Sequence, residues 1–485
     1  MTSNRDQTSP VPSEGRERAI VRAADVNERV QSSSGITQVV AEYAATLTFE
    51  ELPEVVIQKA KNIVLDALGG QLACTTLPHG RMAIEFARLH NGRPDATVIG
   101  TDFRTGVEHA ALVNGIQGHG DEIDESLLGF GHASAVLVPA VLATGERENA
   151  TGSDLITALV VGYDVAARLA KAGFSLDVLA PRNWQQGSTA GSMAAAAAAA
   201  RLLRLDVGRV RAALAIGAEQ ACGLQAMRTE TGHMHKSLHM GVGGRNGVAA
   251  AYLAQVGYGG VPSVLDPPYS VFEAFIPDVA RPEEMTIDLG TRFDILASRF
   301  KRYSAGSPTH SAIATVLAIM EEQGMTASDI ERIHVRVPTL EQGLLSKSLT
   351  LNINFEYIIA VAAMDGKVSW DQYTEERQQD PALRDLWQRV SSEGDESLDA
   401  MKDANVGARP ARVTLTTRDG RSLDGEMIYP PGHPRNPLTQ EELEEKFMYW
   451  STRVIKRSQA EALRDTVMSL DRVSNVNELG SLLRV

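Results

Sequence analysis

From about residue 35 to 265, apolar side chains recur at the three-and-four spacing of helices facing a core. The pattern predicts helices at 39–47, 54–71, 79–89, 106–117, 132–143, 154–169, 187–203, 207–223 and 247–256. The second carries Val56, Ala60, Ile63, Val64, Ala67 and Leu68 on one stripe. A run of alanines, Ala194 to Ala200, favours helix and permits close helix–helix approach, so it belongs to a core. Residues 96–100 read as a short extended piece. Near Pro262 the character changes to a proline- and aromatic-rich crossover. Beyond it Ile333, Val335 and Val337 alternate as in a strand, and 411–428 reads as a hairpin turning at Asp419-Gly420. Helices are expected at 311–322, 355–364 and 382–390. After Gly432 helix returns, with Thr439 and Glu442 as a capping box before 443–450, then 459–470. The expected fold is mainly α with a smaller α+β domain. The large helical domain would come from both ends of the chain (31–283 and 433–485), with the α+β lid (284–432) inserted and residues 1–30 a disordered tail.

At 485 residues with 43% apolar side chains, the chain has material for two cores. A net charge of −14 argues against nucleic acid, and a site for an anion needs its own local positive charge. Cys74 and Cys222 cannot make a disulfide framework and read as thiols of a reducing compartment. The sequence has neither a leader-like apolar segment nor a membrane-length run, so the expectation is a cytoplasmic protein without a membrane partner.

The chemistry concentrates in 105–143, where two helices flank an acidic, glycine-punctuated segment (118–131) with Asp121, Glu122, Asp124, Glu125 and Ser126. His132 follows two glycines and Phe130. It is either the cap of the next helix or an acid/base oriented by Asp124 or Glu122 at the mouth of a cavity. Three later clusters are expected to meet this loop: 183–189 with Gln185, 233–239 with His233, His235, Lys236 and His239, and 301–310 with Lys301, Arg302, Tyr303 and His310. Two Lys–His clusters either side of the domain change favour a cleft for a multiply charged carboxylate, with Arg245 a further bidentate donor. His119, Asp121, Asp124 and His132 match no standard zinc spacing, and no metal or cofactor is expected. The glycine-rich turns lack the preceding strand of a phosphate loop.

The motifs DEIDES and GHASAVLVPAVLA (121–143), 187–206, 219–258, 292–310 and GHPRNPLTQEELEEKF (432–447) resemble the MmgE/PrpD family, over about 35–470. Its members include 2-methylcitrate dehydratase, cis-aconitate decarboxylase and iminodisuccinate epimerase. The resemblance implies a helical domain from both chain ends, an α+β lid, a homodimer, and a cofactor-free site for small polycarboxylates between the domains. It implies His132, Lys236, Lys301, Asp124 and Tyr357 as catalytic. Glu122, Ser126, Gln185, His239, Arg245 and His310 would line the substrate. Ser126 stands where the family's loop has threonine or histidine, and Gln185 where a histidine follows the aromatic at Trp184. Glutamine hydrogen-bonds a carboxylate but carries no proton near neutral pH. The expected activity is therefore a lyase on a citrate- or aconitate-like acid. An epimerase or isomerase of a di- or tricarboxylate, supported by Gln185, is the alternative, and a non-catalytic carboxylate-binding protein the third.

Overall fold

The computed structural model describes residues 35–90, 92–230, 234–405 and 407–485; the expected tail at 1–30 and His233 lie outside them. The first part is an array of helices: α1 (Ile36–Thr46), α2 (Glu54–Cys74), α3 (Pro78–Leu89), α4 (Val107–Gly118), α5 (Ala133–Glu148), α6 (Gly152–Leu169), α7 (Ala190–Leu202), α8 (Val207–Glu219) and α9 (Met234–Gln255). The extended piece is a two-residue strand, β1 (Ala96–Thr97), antiparallel to β2 (Arg104–Thr105). The alanine run forms the middle of α7 and is wholly buried, with α6, α8 and α9 packed around it.

The stretch before Gly247 was expected to lie between two helices, but α9 runs unbroken for 22 residues and takes Lys236 and His239 into its opening turns. Glycines normally weaken a helix by about 1 kcal/mol each. Here they permit contact: a Cβ on Gly241 would collide with the Leu112 carbonyl of α4, and one on Gly247 with Ala195 of α7. Backbone-to-backbone packing overrides the local preference.

The second part holds a four-stranded sheet in the order β6–β5–β7–β8, built from β5 (Ile330–Val337), β6 (Val390–Gly394), β7 (Ala411–Thr417) and β8 (Ser422–Met427). β5 and β6 are parallel, and the other pairs antiparallel. The hairpin turns through Gly420 in the left-handed region (φ 88°), as its Asp-Gly signal predicts. Strand β6 replaces the end of the helix expected at 382–390, which spans Pro381–Gln388. Its sequence is polar after Val390 because it is an edge strand, so periodicity carries no signal for it. Helices α10 (His310–Gln323) and α11 (Phe355–Asp365) pack on this sheet.

The chain then returns to the helical body. Thr439 and Glu442 form the expected capping box of α12 (Gln440–Ser451), which is followed by α13 (Arg457–Met468). Leu443, Phe447, Leu463 and Val467 join the same core as α2, and Phe447 seats against Gly69. Among the described residues no helix is long and apolar enough to cross a membrane.

Candidate active site

The acidic segment is held at several points before its side chains do any chemistry. Cys74 Sγ donates to the Gly120 carbonyl (3.3 Å). Ile123 is buried with Ala73, Cys74 and Trp450. Lys446, from α12, donates to the Ile123 carbonyl (2.8 Å) and to Asp66 of α2 (2.5 Å). A helix from the far end of the chain therefore fixes the loop from below. Ser126 and Leu127 pair as strand β3 with β4 (Ser298–Arg299). Leu127 and Gly131 then exchange backbone hydrogen bonds (2.7 and 2.8 Å) around a tight turn with Gly129 and Gly131 at positive φ. That turn explains the glycines ahead of His132 and brings the imidazole back over the loop.

His132 occupies the N-cap position of α5, but its side chain makes no capping bond. Its Nδ1 instead lies 2.8 Å from Asp124 Oδ2. His119, at the end of α4, places Nδ1 at 3.0 Å from both oxygens of the same carboxylate. The two rings lie 3.8 Å apart, centroid to centroid. A carboxylate can only accept, so each neutral ring carries its proton on Nδ1 and leaves Nε2 as a base. Burial pushes the Asp124 carboxyl upward, but the two imidazoles outweigh it and hold it well below the usual range. Burial lowers His119 to about 4, so it is neutral at pH 7. His119 is buried, whereas the side chain of His132 is 17% exposed, which makes His132 the ring a substrate can reach.

Beside this trio Glu122 accepts from Lys236 and from Lys301 (2.6 Å), and Lys301 lies 4.0 Å from Asp124. Burial raises Glu122, but the two ammonium groups prevail and keep it ionised. Asp121 accepts from Asn352 of the α+β region (2.5 Å), and burial with Glu122 nearby raises its carboxyl to about 6. Asp121 and Glu122 both adopt left-handed backbone (φ 65° and 61°). Two consecutive non-glycine residues there are strained, and their ion pairs and the Asn352 contact hold them. The loop thus aims Asp121 at the α+β region, Glu122 at the lysines and Asp124 at the histidines.

The structure brings His132, Asp124, Glu122, Lys236 and Lys301 together, keeps His310 near Lys301, and gives the other expected residues other partners. Ser126 faces Arg299 (3.4 Å). Gln185 spends its side-chain oxygen on the Gly187 N–H (2.5 Å), and it lies with Ser188 and His239 around Gly223. Its neighbour Gln186 does reach the loop, since its Nε2 would stand 3.1 Å from a Cβ on Gly131. His310 is buried, bonded to the Ala305 carbonyl (3.0 Å), and lowered to about 3 by burial and then Lys301, so it shapes the 301–310 turn as a neutral ring. Arg245 is nine residues beyond Lys236 on α9, on the opposite side of the helix, and bonds its neighbour Asn246 (2.9 Å). Tyr357 is fully buried in the α+β core between Tyr373 and Trp387, its hydroxyl donating to the Gln372 carbonyl. His119, weighed in the sequence only as one of a possible metal set, stands beside His132 on Asp124, and Asn352, which reaches Asp121, has no signal in the sequence.

The donor atoms of His119, Asp124 and His132 lie within 4.8 Å of one another, the span of a metal site. The ammonium groups of Lys236 and Lys301 stand alongside, both paired with Glu122, and Lys301 lies 4.0 Å from Asp124.

Comparison with known proteins agrees with this architecture. The MmgE/PrpD N-terminal domain matches residues 38–282, and the MmgE/PrpD C-terminal domain matches 303–472. Cis-aconitate decarboxylase of Aspergillus terreus is 27% identical over 95% of this chain and 98% of its own. The Homo sapiens cis-aconitate decarboxylase is 28% identical over 93% and 94%, and that of Mus musculus 26% over 90% and 91%. The two domain models together cover most of the chain, and the chain belongs to the MmgE/PrpD family.

Proposed function

We propose that this protein is a lyase acting on a small citrate- or aconitate-like polycarboxylate, with His132 as proton carrier and Lys236 and Lys301 as carboxylate clamp. The observation that carries the reading is the shared position of the Asp124-oriented imidazole and two ammonium groups converging on one carboxylate, Glu122. A substrate carboxylate would take the place of Glu122 on one or both lysines. The same charges would then stabilise the enolate-like state as negative charge builds beside the reacting carbon. In decarboxylation the carbon–carbon bond breaks, its electron pair is held as that enolate, and protonated His132 delivers a proton to carbon. In dehydration neutral His132 removes the carbon-bound proton, and a second acid protonates the departing hydroxyl. The relatives named cis-aconitate decarboxylase support the substrate class. Family membership likewise supports a homodimer.

The second reading, an epimerase or isomerase of a di- or tricarboxylate, draws on the 184–187 segment. It puts the Gln186 amide beside Gly131, just ahead of His132, and an amide binds a carboxylate without exchanging protons. Proton NMR in D₂O with 2-methylcitrate, citrate, cis- and trans-aconitate and iminodisuccinate stereoisomers separates the two. A new vinylic signal or a lost carboxylate establishes the lyase. Deuterium entering one carbon of an unchanged skeleton establishes the epimerase, and no change with any candidate refutes both.

A further inference from the structure

A second concentration of positive charge lies away from the imidazoles, where the two crossings between the helical body and the α+β region run side by side. Strand β4 leads out and 430–436 leads back, and the Phe300 N–H donates to the Gly432 carbonyl (3.0 Å). Arg299 projects from the first crossing, His433 from the second, and Arg409 from the segment before β7. Each keeps a buried nitrogen without a hydrogen-bond partner among the described residues: Arg299 Nε, Arg409 Nε and His433 Nε2. All three are donors. His433 Nδ1 accepts from the Arg435 N–H (3.1 Å), which places the ring proton on Nε2. Gly407 leaves the space in front of it: a Cβ there would stand 3.0 Å from His433 Nε2 and 2.6 Å from Leu128.

The charges agree with the donors. Burial and then Arg409 lower Arg299 to about 9, and burial, Arg299, Arg435 and Lys59 lower His433 to about 4. Two carboxylates act on Arg299, Glu341 and Glu125; Glu341 already takes Arg409 and Lys402 (3.0 Å), with its second oxygen buried and unbonded. That second oxygen bonds none of the three nitrogens, so all three donors and their charge remain for another acceptor. Unmade charge-assisted bonds in a buried place are costly, so a group supplying several oxygens at once is the natural complement.

We propose that Arg299, Arg409 and His433 form a binding site for an oxyanion, the carboxylate of a small acid or inorganic phosphate, at the crossing between the two regions of the fold. An anion there would bridge Arg409 of the α+β region to Arg299 and His433 on the connecting strands, steadying the lid-like part against the body. The site shares no donor with Lys236 or Lys301.

The test is a thermal-melt titration of the full chain with potassium phosphate and, separately, with potassium citrate, at ionic strength fixed with potassium chloride. The expected result is a saturable rise in melting temperature with at least one of them. Arg409→Gln and His433→Asn should each weaken it by about 10-fold or more in midpoint concentration, the cost of one charge-assisted bond. A response to phosphate alone identifies phosphate. A citrate response that persists in Lys236→Ala but falls in Arg409→Gln identifies a carboxylate at this site. A response unchanged in both Arg409→Gln and His433→Asn, or none beyond that of chloride, overturns the proposal. Arg409 is a quarter exposed, so its variant is expected to keep a cooperative melt, and His433→Asn provides the independent check.

Discussion

Replacing Asp124 by asparagine changes one atom in the site and tests how His132 is made a base. The carboxylate accepts from Nδ1 of both His132 (2.8 Å) and His119 (3.0 Å). The amide keeps the size but has a single acceptor oxygen, and its NH₂ must face a nitrogen that accepts. With the NH₂ at the Oδ2 position, His132 is driven to the other tautomer, with its proton on Nε2 and no lone pair toward substrate; with the oxygen there, His132 keeps its tautomer but loses the negative charge that stabilises its protonated form. A positioned acid/base contributes ~10² to ~10⁴, and the matching change in a Ser-His-Asp triad costs ~10⁴. The expected fall in kcat is thus ~10² to ~10⁴, about 3 to 5 kcal/mol of barrier at about 1.4 kcal/mol per decade. KM should move by less than about 3-fold, because Lys236 and Lys301 still pair with Glu122 and supply the carboxylate contacts. The assay is steady-state turnover of whichever acid the NMR panel identifies, with Asp124→Asn, His132→Ala and the double variant side by side. His132→Ala should lose at least ~10². Because the two act as one unit, the double variant should be little worse than the poorer single. A kcat within about 3-fold of the parent, or strictly multiplicative losses, would refute the assignment.

Lys236→Ala should raise KM more than it lowers kcat, since Lys301 remains on Glu122; a collapse of kcat at saturating substrate would give Lys236 a proton-transfer role instead. Glu125 accepts from the Ser134 N–H (3.2 Å) and the Tyr163 hydroxyl (3.0 Å), and burial pushes its carboxyl from 4.5 up to about 7. Between those values the folded chain holds a proton that the unfolded chain has released, so this group's contribution to stability falls as pH rises through the window, by about 3 kcal/mol in all. Glu125→Gln copies the protonated form and should match the parent near pH 4 while exceeding its stability at pH 8 by up to ~3 kcal/mol in urea melts; a variant no more stable at pH 8 would contradict the linkage. Tyr357→Phe removes only the bond to the Gln372 carbonyl, so stability should drop by about 1 kcal/mol with kcat within 2-fold of the parent (an order-of-magnitude bound), and a kcat loss above ~10² would return Tyr357 to the reaction.

The helical body was legible because its signals are local and redundant. Stripes such as Val56–Ala60–Ile63–Val64 repeat along α2, and Thr439 with Glu442 marks the start of α12. Edge strand β6 was not, since Val390 is its one apolar residue. Nor was the continuity of α9, because Gly241 and Gly247 announce a break in sequence terms and mean contact with Leu112 and Ala195 in space. The site divides along the same line. Asp124 and His132 lie within one short loop, so proximity in sequence implied proximity in space. Arg245 and Lys236 lie on one helix but point opposite ways, which requires knowing that the helix is unbroken.

Tyr357 illustrates the limit of carrying a role by position. It is aromatic, polar and in the expected segment, yet its helix turns it into the α+β core. The neighbouring loop instead sends Asn352 to Asp121. That contact links the α+β region to the strained pair Asp121–Glu122, and through Glu122 to both lysines. Moving the α+β region away would release Asp121, relax the left-handed backbone and loosen the carboxylate that occupies the ammonium groups.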